Sequence, residues 1–338
     1  MTNPTSHQTN QSHPAYLFFA GLCMGAADVV PGVSGGTMAF VLGIYPHLLQ
    51  AIQCFNLAML TDIFRLQWRS AIDKIPWRFV VPLGLGIVTA VGTLAELLSY
   101  LLEHYESLLF AFFFGLIVAS IVALAGRLKW NVPSAATLLV GATFAFWLVG
   151  LVPADPGHSP IILFGSGAIA ICAMILPGIS GSFILLILGQ YTYCVTALTS
   201  LIDAARAFDF AKVGSTLLQV VIPAGLGAAT GLLLFTRLLS WLLSRYYTIT
   251  VALLVGFMVG SLRRIWPYKQ ILTVGLDRHG KEIPLEWRNI FPTEINGDVL
   301  LAIGLAGLGF VCLSLIDHIY DRSNPIVVAI LPRDKETQ

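Results

Sequence analysis

The chain reads as an all-α polytopic membrane protein, an inverted-topology repeat of about six transmembrane helices plus two re-entrant helical hairpins. Three observations predict this class. Hydrophobic residues make up 57% of the 338 positions, charged residues only 11%, and the mean hydropathy is +0.81, whereas a soluble globular chain carries about 25% charged residues. The segment Pro31-Gly32-Val33-Ser34-Gly35 returns as Pro177-Gly178-Ile179-Ser180-Gly181, and seven of the fifteen positions 31–45 recur at an offset of 146. A second block, Val80-Val81-Pro82-Leu83-Gly84-Leu85-Gly86, returns as Val221-Ile222-Pro223-Ala224-Gly225-Leu226-Gly227 at an offset of 141. Self-similarity over most of a chain is the mark of a duplicated unit. A helix breaker repeated inside two apolar stretches is the mark of a duplicated transporter.

Residues 1–14 are a polar tail without Lys or Arg, which does not fit a cleavable signal peptide. The first repeat runs over 15–152, with apolar stretches near 15–30, 36–54, 79–102, 108–126 and 135–152. The second, inverted repeat runs over 161–320, with stretches near 161–176, 181–200, 215–243, 248–262 and 298–316, and 321–338 form a C-terminal tail. About 20 apolar residues cross the hydrocarbon, so the stretches at 79, 108, 135, 215 and 298 qualify and the one at 248 is marginal. Those flanking the two Pro-Gly pairs are shorter. Because Pro lacks an N–H and Gly accepts unusual dihedrals, a tight turn is expected at each pair. Two arrangements fit each broken pair: it spans the membrane twice, or, as the tight turn favours, it enters and leaves on one side. Each half makes an odd number of crossings, so the halves are oppositely oriented. The role of the polar 266–297 loop is left open.

Orientation rests on a narrow margin. Arg65, Arg69, Lys74, Arg78, Arg127, Lys129, Arg245, Arg322, Arg333 and Lys335 fall on one side. Arg206, Lys212 and six residues of the 266–297 region and its approach (Arg263, Arg264, Lys269, Arg278, Lys281, Arg288) fall on the other. Discounting the distal part of that loop makes the first side cytoplasmic, with both termini inside.

The candidate chemistry lies at the turns. A helix that starts after a break presents unpartnered N–H groups and a positive dipole end. Ser34, Gly35, Gly36 and Thr37 in one copy, and Ser180, Gly181 and Ser182 in the other, add hydroxyls and bare backbone suited to a phosphate or carboxylate. The competing explanation is close helix packing by small residues. Asp28 precedes the first turn by three residues, and its counterpart is Met174. An ionisable group inside an apolar stretch is costly and therefore informative, which makes Asp28 the leading proton-coupling candidate, the competing explanation being an Asp that caps or pairs locally. Glu96 and Arg237 occupy equivalent positions; Glu96 is a second proton-coupling candidate and Arg237 a phosphate-binding one, although both could snorkel to the interface. Arg263 and Arg264 read first as an interfacial anchor, and second as an entry site for anionic headgroups. Aromatic clusters at Phe110, Phe112, Phe113 and Phe114, and at Phe144, Phe146 and Trp147, face lipid or line a lateral gap. The five cysteines and seven histidines show no metal-ligand or redox spacing, so no metal, cofactor or thiol chemistry is expected.

The motif Gly25-Ala26-Ala27-Asp28-Val29-Val30-Pro31-Gly32-Val33-Ser34-Gly35-Gly36-Thr37, with Leu176-Pro177-Gly178-Ile179-Ser180-Gly181-Ser182, resembles the bacterial polyprenyl-phosphate transporter family. The resemblance extends over roughly 15–320. It implies a multi-pass translocase of the bacterial inner membrane that returns undecaprenyl phosphate from the outer to the cytoplasmic leaflet for cell-wall and surface-glycan synthesis. The second copy lacks the Asp and has Ser182 where the first has Gly36. On this reading the partners are a polyprenyl phosphate, membrane lipids and a coupling proton; nucleic acid is not among them, and a homo-oligomer is left open. Two rivals stand beside it. An ion-coupled carrier or channel for a small water-soluble anion would share the dipole ends but need no lateral opening. A membrane enzyme would need a nucleophile with its base, or a metal cluster, and no such set is visible in the sequence.

Overall fold

The computed structural model describes residues 13–30, 33–55, 59, 61–62, 65–151, 157–276 and 282–320. Pro31 and Gly32 of the first turn lie outside them, as do both tails. The elements are α1 (Pro14–Val29), α2 (Gly35–Val41), α3 (Tyr45–Gln53), α4 (Trp68–Asp73), α5 (Trp77–His104), α6 (Glu106–Gly126) and α7 (Val132–Val149) in the first part. The second part holds α8 (Pro160–Ile175), α9 (Gly181–Ile187), α10 (Tyr191–Arg206), α11 (Phe210–Arg245), α12 (Tyr247–Ser261), β1 (Lys269–Leu276), β2 (Glu282–Asn289) and α13 (Gly297–Tyr320).

The sequence offsets are offsets of structure. Helices α1 and α8 have 16 residues each and α2 and α9 have seven, all displaced by 146, while the α5–α6 and α11–α12 junctions are displaced by 141. Each short helix ends in a glycine of left-handed conformation, Gly43 at φ 70° and Gly189 at φ 67°, which a side chain would resist. The chain then turns, by 107° between α9 and α10. Helix α1 packs along α5 and α8 along α11, while α6 packs on α13 and α7 on α12. The last two pairings cross between the halves. At Pro223 the missing N–H loosens the backbone ladder of α11, and Leu217–Val221 form a π turn immediately before it.

Among the described residues five helices are long and apolar enough to span a bilayer, namely α5, α6, α7, α11 and α13, and the bent α9–α10 pair makes six if it is one span. The expected span near residue 248 is the 15-residue α12. At 1.5 Å per residue it reaches only about 22 Å, less than the ~30 Å hydrocarbon, and most of it is buried against its neighbours. The outer faces of the long helices are apolar, with Val88, Leu139, Leu226 and Ile303 exposed, as befits a surface solvated by lipid. The all-α expectation needs one correction. Lys269–Leu276 and Glu282–Asn289 pair as two antiparallel strands, for which Ile271, Thr273 and Val274, all β-branched, have the right propensity.

Both broken segments fold back on themselves. The Tyr16 hydroxyl donates to the Leu42 carbonyl, so the end of α2 lies beside the start of α1. In the second segment the Gln190 amide, fully buried, donates to Gly157 O at 2.8 Å and its oxygen lies 3.1 Å from His158 Nδ1. That ties the end of α9 to the approach to α8.

At Gly178 the backbone is left-handed (φ 88°), and a Cβ there would meet Met258 Cα and Ser261 Oγ at 2.9 Å. Gly178→Ala is therefore expected to cost about 2–4 kcal/mol from strain and overpacking together. Gly157→Ala, at φ 79° with nothing within 4 Å of the added carbon, should cost only about 1–2 kcal/mol. Thermal unfolding of the detergent-solubilised protein checks the order; equal losses would show that the second turn does not pack closely on α12.

Candidate functional site

The two turns interlock. Ser34 Oγ donates to Met174 O at 3.3 Å and Tyr45 Oη to Ile175 O at 3.0 Å, so side chains beside the first turn satisfy the last carbonyls of α8. In return Gly178 N donates to Thr37 Oγ1 at 2.8 Å. Gly36 fits because a Cβ there would lie 2.8 Å from the same two carbonyls. Of the residues predicted to offer donors, Ser34, Gly35, Gly36 and Thr37 are thus buried, and both hydroxyls are engaged within the protein.

The first N–H of α2 also has an internal acceptor. Asp28 Oδ1 receives the Gly35 N–H at 2.7 Å, and a Cβ on Gly35 would meet the same carboxylate. Asp28, though inside an apolar segment, is exposed at its edge. It places a carboxyl group at the positive end of α2. The second turn has no such group. Met174 stands at the equivalent position, and the Ser180 and Ser182 hydroxyls bond each other at 2.9 Å. Gly181 is buried against Ala170, whereas Ser182 is exposed. It opens on an apolar groove of about 410 Å³ between α8, α9, α10 and α11, lined by Met174, Leu185, Leu198 and Val221 among others.

Arg237 is exposed on α11 and lines a cavity of about 790 Å³ together with Tyr45, Gln50, Gln53, Arg127 and Ser240. This is the face where α6 and α11 end. The Gln53 amide donates to Thr236 O at 2.9 Å and to Ser240 Oγ at 2.6 Å, fixing α3 against α11. Arg127 donates to both carboxylate oxygens of the buried Asp317 at 2.8 Å. Arg237 has no ion-pair partner among the described residues. The cavity ends at Tyr45, whose hydroxyl takes part in the contact between the turns. Glu96 is exposed on α5 near the opposite face, so Glu96 and Arg237, equivalent in sequence, are not brought together.

On the opposite face α5 ends and α6 and α13 begin. The Arg263-Arg264 pair divides in function there. Arg263 stacks over Phe146 at 4.4 Å and donates to its carbonyl at 3.0 Å, as an anchor does. Arg264 turns inward, its Cζ 4.8 Å from the Phe183 ring of α9 and 3.9 Å from the Trp287 ring of β2. Lys269 Nζ lies 3.8 Å from the centre of the Phe110 ring. Burial, reinforced by the Arg264 charge and opposed by Glu106, pushes the Lys269 ammonium down to about 7. Burial, opposed by Glu106, lowers the Arg264 guanidinium to about 10. Phe110 and Phe113 are core residues rather than lining of a gap, while Phe144, Phe146 and Trp147 are exposed on α7.

Sequence reasoning did not single out Tyr45, Gln50, Gln53, Asp317 or Lys269. The available signal was polarity, since two glutamines and an aspartate inside or bordering apolar helices are as costly as the residues that were noticed. Among the described residues no group of three or more His, Cys, Asp or Glu is placed to hold a metal ion.

Comparison with known proteins places this arrangement. Residues 24–283 match the family described as undecaprenyl phosphate translocase-like. A polyprenyl-phosphate transporter of Vibrio cholerae serotype O1 is 40% identical over 279 residues, covering 82% of this chain and 85% of the relative. A polyprenyl-phosphate transporter of Staphylococcus aureus is 31% identical over 261 residues, covering 73% and 84%. No solved structure matches. Apolar spanning helices, two interlocked helix breaks and relatives named as transporters describe a multi-pass membrane transport protein, and the chain belongs to the undecaprenyl phosphate translocase-like family.

Proposed function

We propose that this protein moves undecaprenyl phosphate from the outer to the cytoplasmic leaflet of the bacterial inner membrane, recycling the lipid carrier for cell-wall and surface-glycan synthesis. The observation that carries the reading is the Arg237 cavity, an open chamber in which a guanidinium without an ion pair among the described residues shares the wall with Tyr45, a member of the contact between the turns. A phosphate headgroup cannot cross hydrocarbon bare, but its isoprenoid chain never needs to leave it. The protein therefore has to shelter only the headgroup. Arg237 meets a phosphate through its planar N–H fork, and the apolar groove beside Ser182 gives the tail a lateral path on the other half.

On this reading the two broken segments are re-entrant hairpins of an inverted-topology repeat, and transport alternates between faces by parting their contact. The first side counted by charge is the Arg237 face, which is then cytoplasmic. When the contact parts, Ser34, Gly35, Gly36, Thr37, Ser180, Gly181 and Ser182 are released to offer hydroxyls and N–H groups to the passing headgroup. Asp28 supplies the coupling. Its carboxylate holds the Gly35 N–H by a charge-assisted bond, and a proton both weakens that bond and removes the charge that repels a phosphate. Glu96, exposed toward the opposite face, is the second proton acceptor. No chemical bond changes, so no catalytic group is required.

Movement of undecaprenyl phosphate between leaflets of proteoliposomes tests the proposal. Arg237→Ala removes a charged hydrogen-bond donor worth about 1.5–3 kcal/mol, so the apparent affinity should fall about 10- to 100-fold. Asp28→Asn keeps an acceptor for Gly35 but cannot titrate, and its translocation should no longer respond to a pH gradient. Absence of translocation by folded wild-type protein, together with uptake of a small water-soluble anion, would replace this reading with the anion carrier. An Asp28→Asn protein as pH-responsive as the wild type would remove Asp28 from the coupling.

A further inference from the structure

Two cations at the Arg264 face lack what buried cations normally have. Among the described residues neither Arg264 nor Lys269 makes an ion pair, and Arg264 Nε is buried with no hydrogen-bond partner. Rings attract a cation electrostatically, but Phe183 and Trp287 accept no in-plane N–H bond from the guanidinium. The Tyr268 hydroxyl, between the two cations in sequence, is likewise buried without a partner. Donors left this way cost stability, and two like charges sharing one partly buried site add repulsion. An arrangement costly when empty and rich in unused donors is suited to an incoming anion.

Its location supports the same ligand. Arg264 lies three residues beyond Ser261, whose hydroxyl approaches Gly178 of the second turn. Phe183 belongs to the first turn of α9. Trp287 is carried by the β1–β2 hairpin, and Trp266 fastens the start of that segment through the Ile290 carbonyl at 2.9 Å and the Phe114 ring at 5.5 Å. We propose that Arg264 and Lys269 form a second phosphate-binding site, on the face opposite Arg237 and covered by Trp287 of the β-hairpin, where the headgroup docks before reaching the turns. This rests on the transport reading for its place in the cycle, while the site itself is defined by charge and geometry.

The charged groups acting on Lys269 are Arg264 and Glu106 of α6, and Asp298 of α13 acts on the neighbouring Tyr268. Because Lys269 is pushed down to about 7, it is largely neutral just above neutral pH in the empty site. A phosphate restores its charge, so binding takes up part of a proton there.

Full-length protein in nanodiscs, titrated calorimetrically with farnesyl phosphate, inorganic phosphate and farnesol, tests the site. In the wild type farnesyl phosphate should bind with proton uptake at pH 7.5, read from buffers of different ionisation enthalpy, and farnesol should not. Arg264→Gln with Lys269→Gln should lose at least tenfold in affinity and all the proton uptake. Arg264→Lys should restore part of the affinity, and Arg237→Ala should keep the proton uptake. Lys269→Gln alone, which leaves the Arg264 contacts with Phe183 and Trp287 in place, serves if the double variant does not fold. Inorganic phosphate binding as tightly as farnesyl phosphate, and lost in the same variants, would keep the phosphate site and name the free ion as its ligand. Affinity lost in Arg237→Ala but unchanged in the double variant would overturn this site and leave the transport reading intact. Phosphate binding unaffected by either set would sink both.

Discussion

A helix broken inside a bilayer must find partners for its end groups without water, and in this protein each break is completed by the other. The carbonyls that close α8 are met by Ser34 and Tyr45, and the Gly178 N–H is met by Thr37. These bonds join residues 130–141 positions apart, so the centre of the fold is itself a long-range commitment. The helices around it are arranged to hold the two breaks in register. Helix α5 backs the first segment, α11 backs the second, and Gln53 ties α3 to α11 at the edge of the open cavity.

The duplication is close in backbone and loose in chemistry. The paired segments share lengths, left-handed glycines and partner helices, yet Asp28 faces Met174, Gly36 faces Ser182 and Glu96 faces Arg237 at equivalent positions. Symmetry of scaffold allows two similar arrangements of the same contact. Charge is placed asymmetrically too: among the described residues Arg237 lines an open cavity without an ion pair on one face, while Arg264 and Lys269 stand against aromatic rings on the other.

Much of this was legible in the sequence because it is local. The Pro-Gly breaks, the left-handed glycines after Leu42 and Leu188, and the long apolar stretches are written in neighbouring residues. The oddity of Asp28 was legible too, as was its nearness to the first turn, but not that its carboxylate already holds Gly35. The partners of Gln53, Arg127 and Arg264 come from 190 residues away in one case and from separate helices in all, and no periodicity encodes such meetings. The 248 stretch was marginal by length in the sequence as well, and its burial lay beyond hydropathy, which scores a helix buried in protein and one facing lipid alike. The β-hairpin was missed because a polar loop between apolar stretches gives no sign of what its strands cover.

The pairing of α6 with α13 bears on how the protein is made. Arg127 and Asp317 are 190 residues apart, and at synthesis rates of roughly 5–20 residues per second their helices emerge about 10–40 s apart. Throughout that interval α6 sits in the membrane with its α13-facing side, including Gly115, turned to lipid or to the insertion machinery. Assembly of this pair therefore waits for α13, the last of the described helices, to leave the ribosome. A chain that stops before residue 297 lacks the partner of an early helix as well as its own end, and this gives the quality control of the membrane a clear mark by which to recognise an unfinished copy.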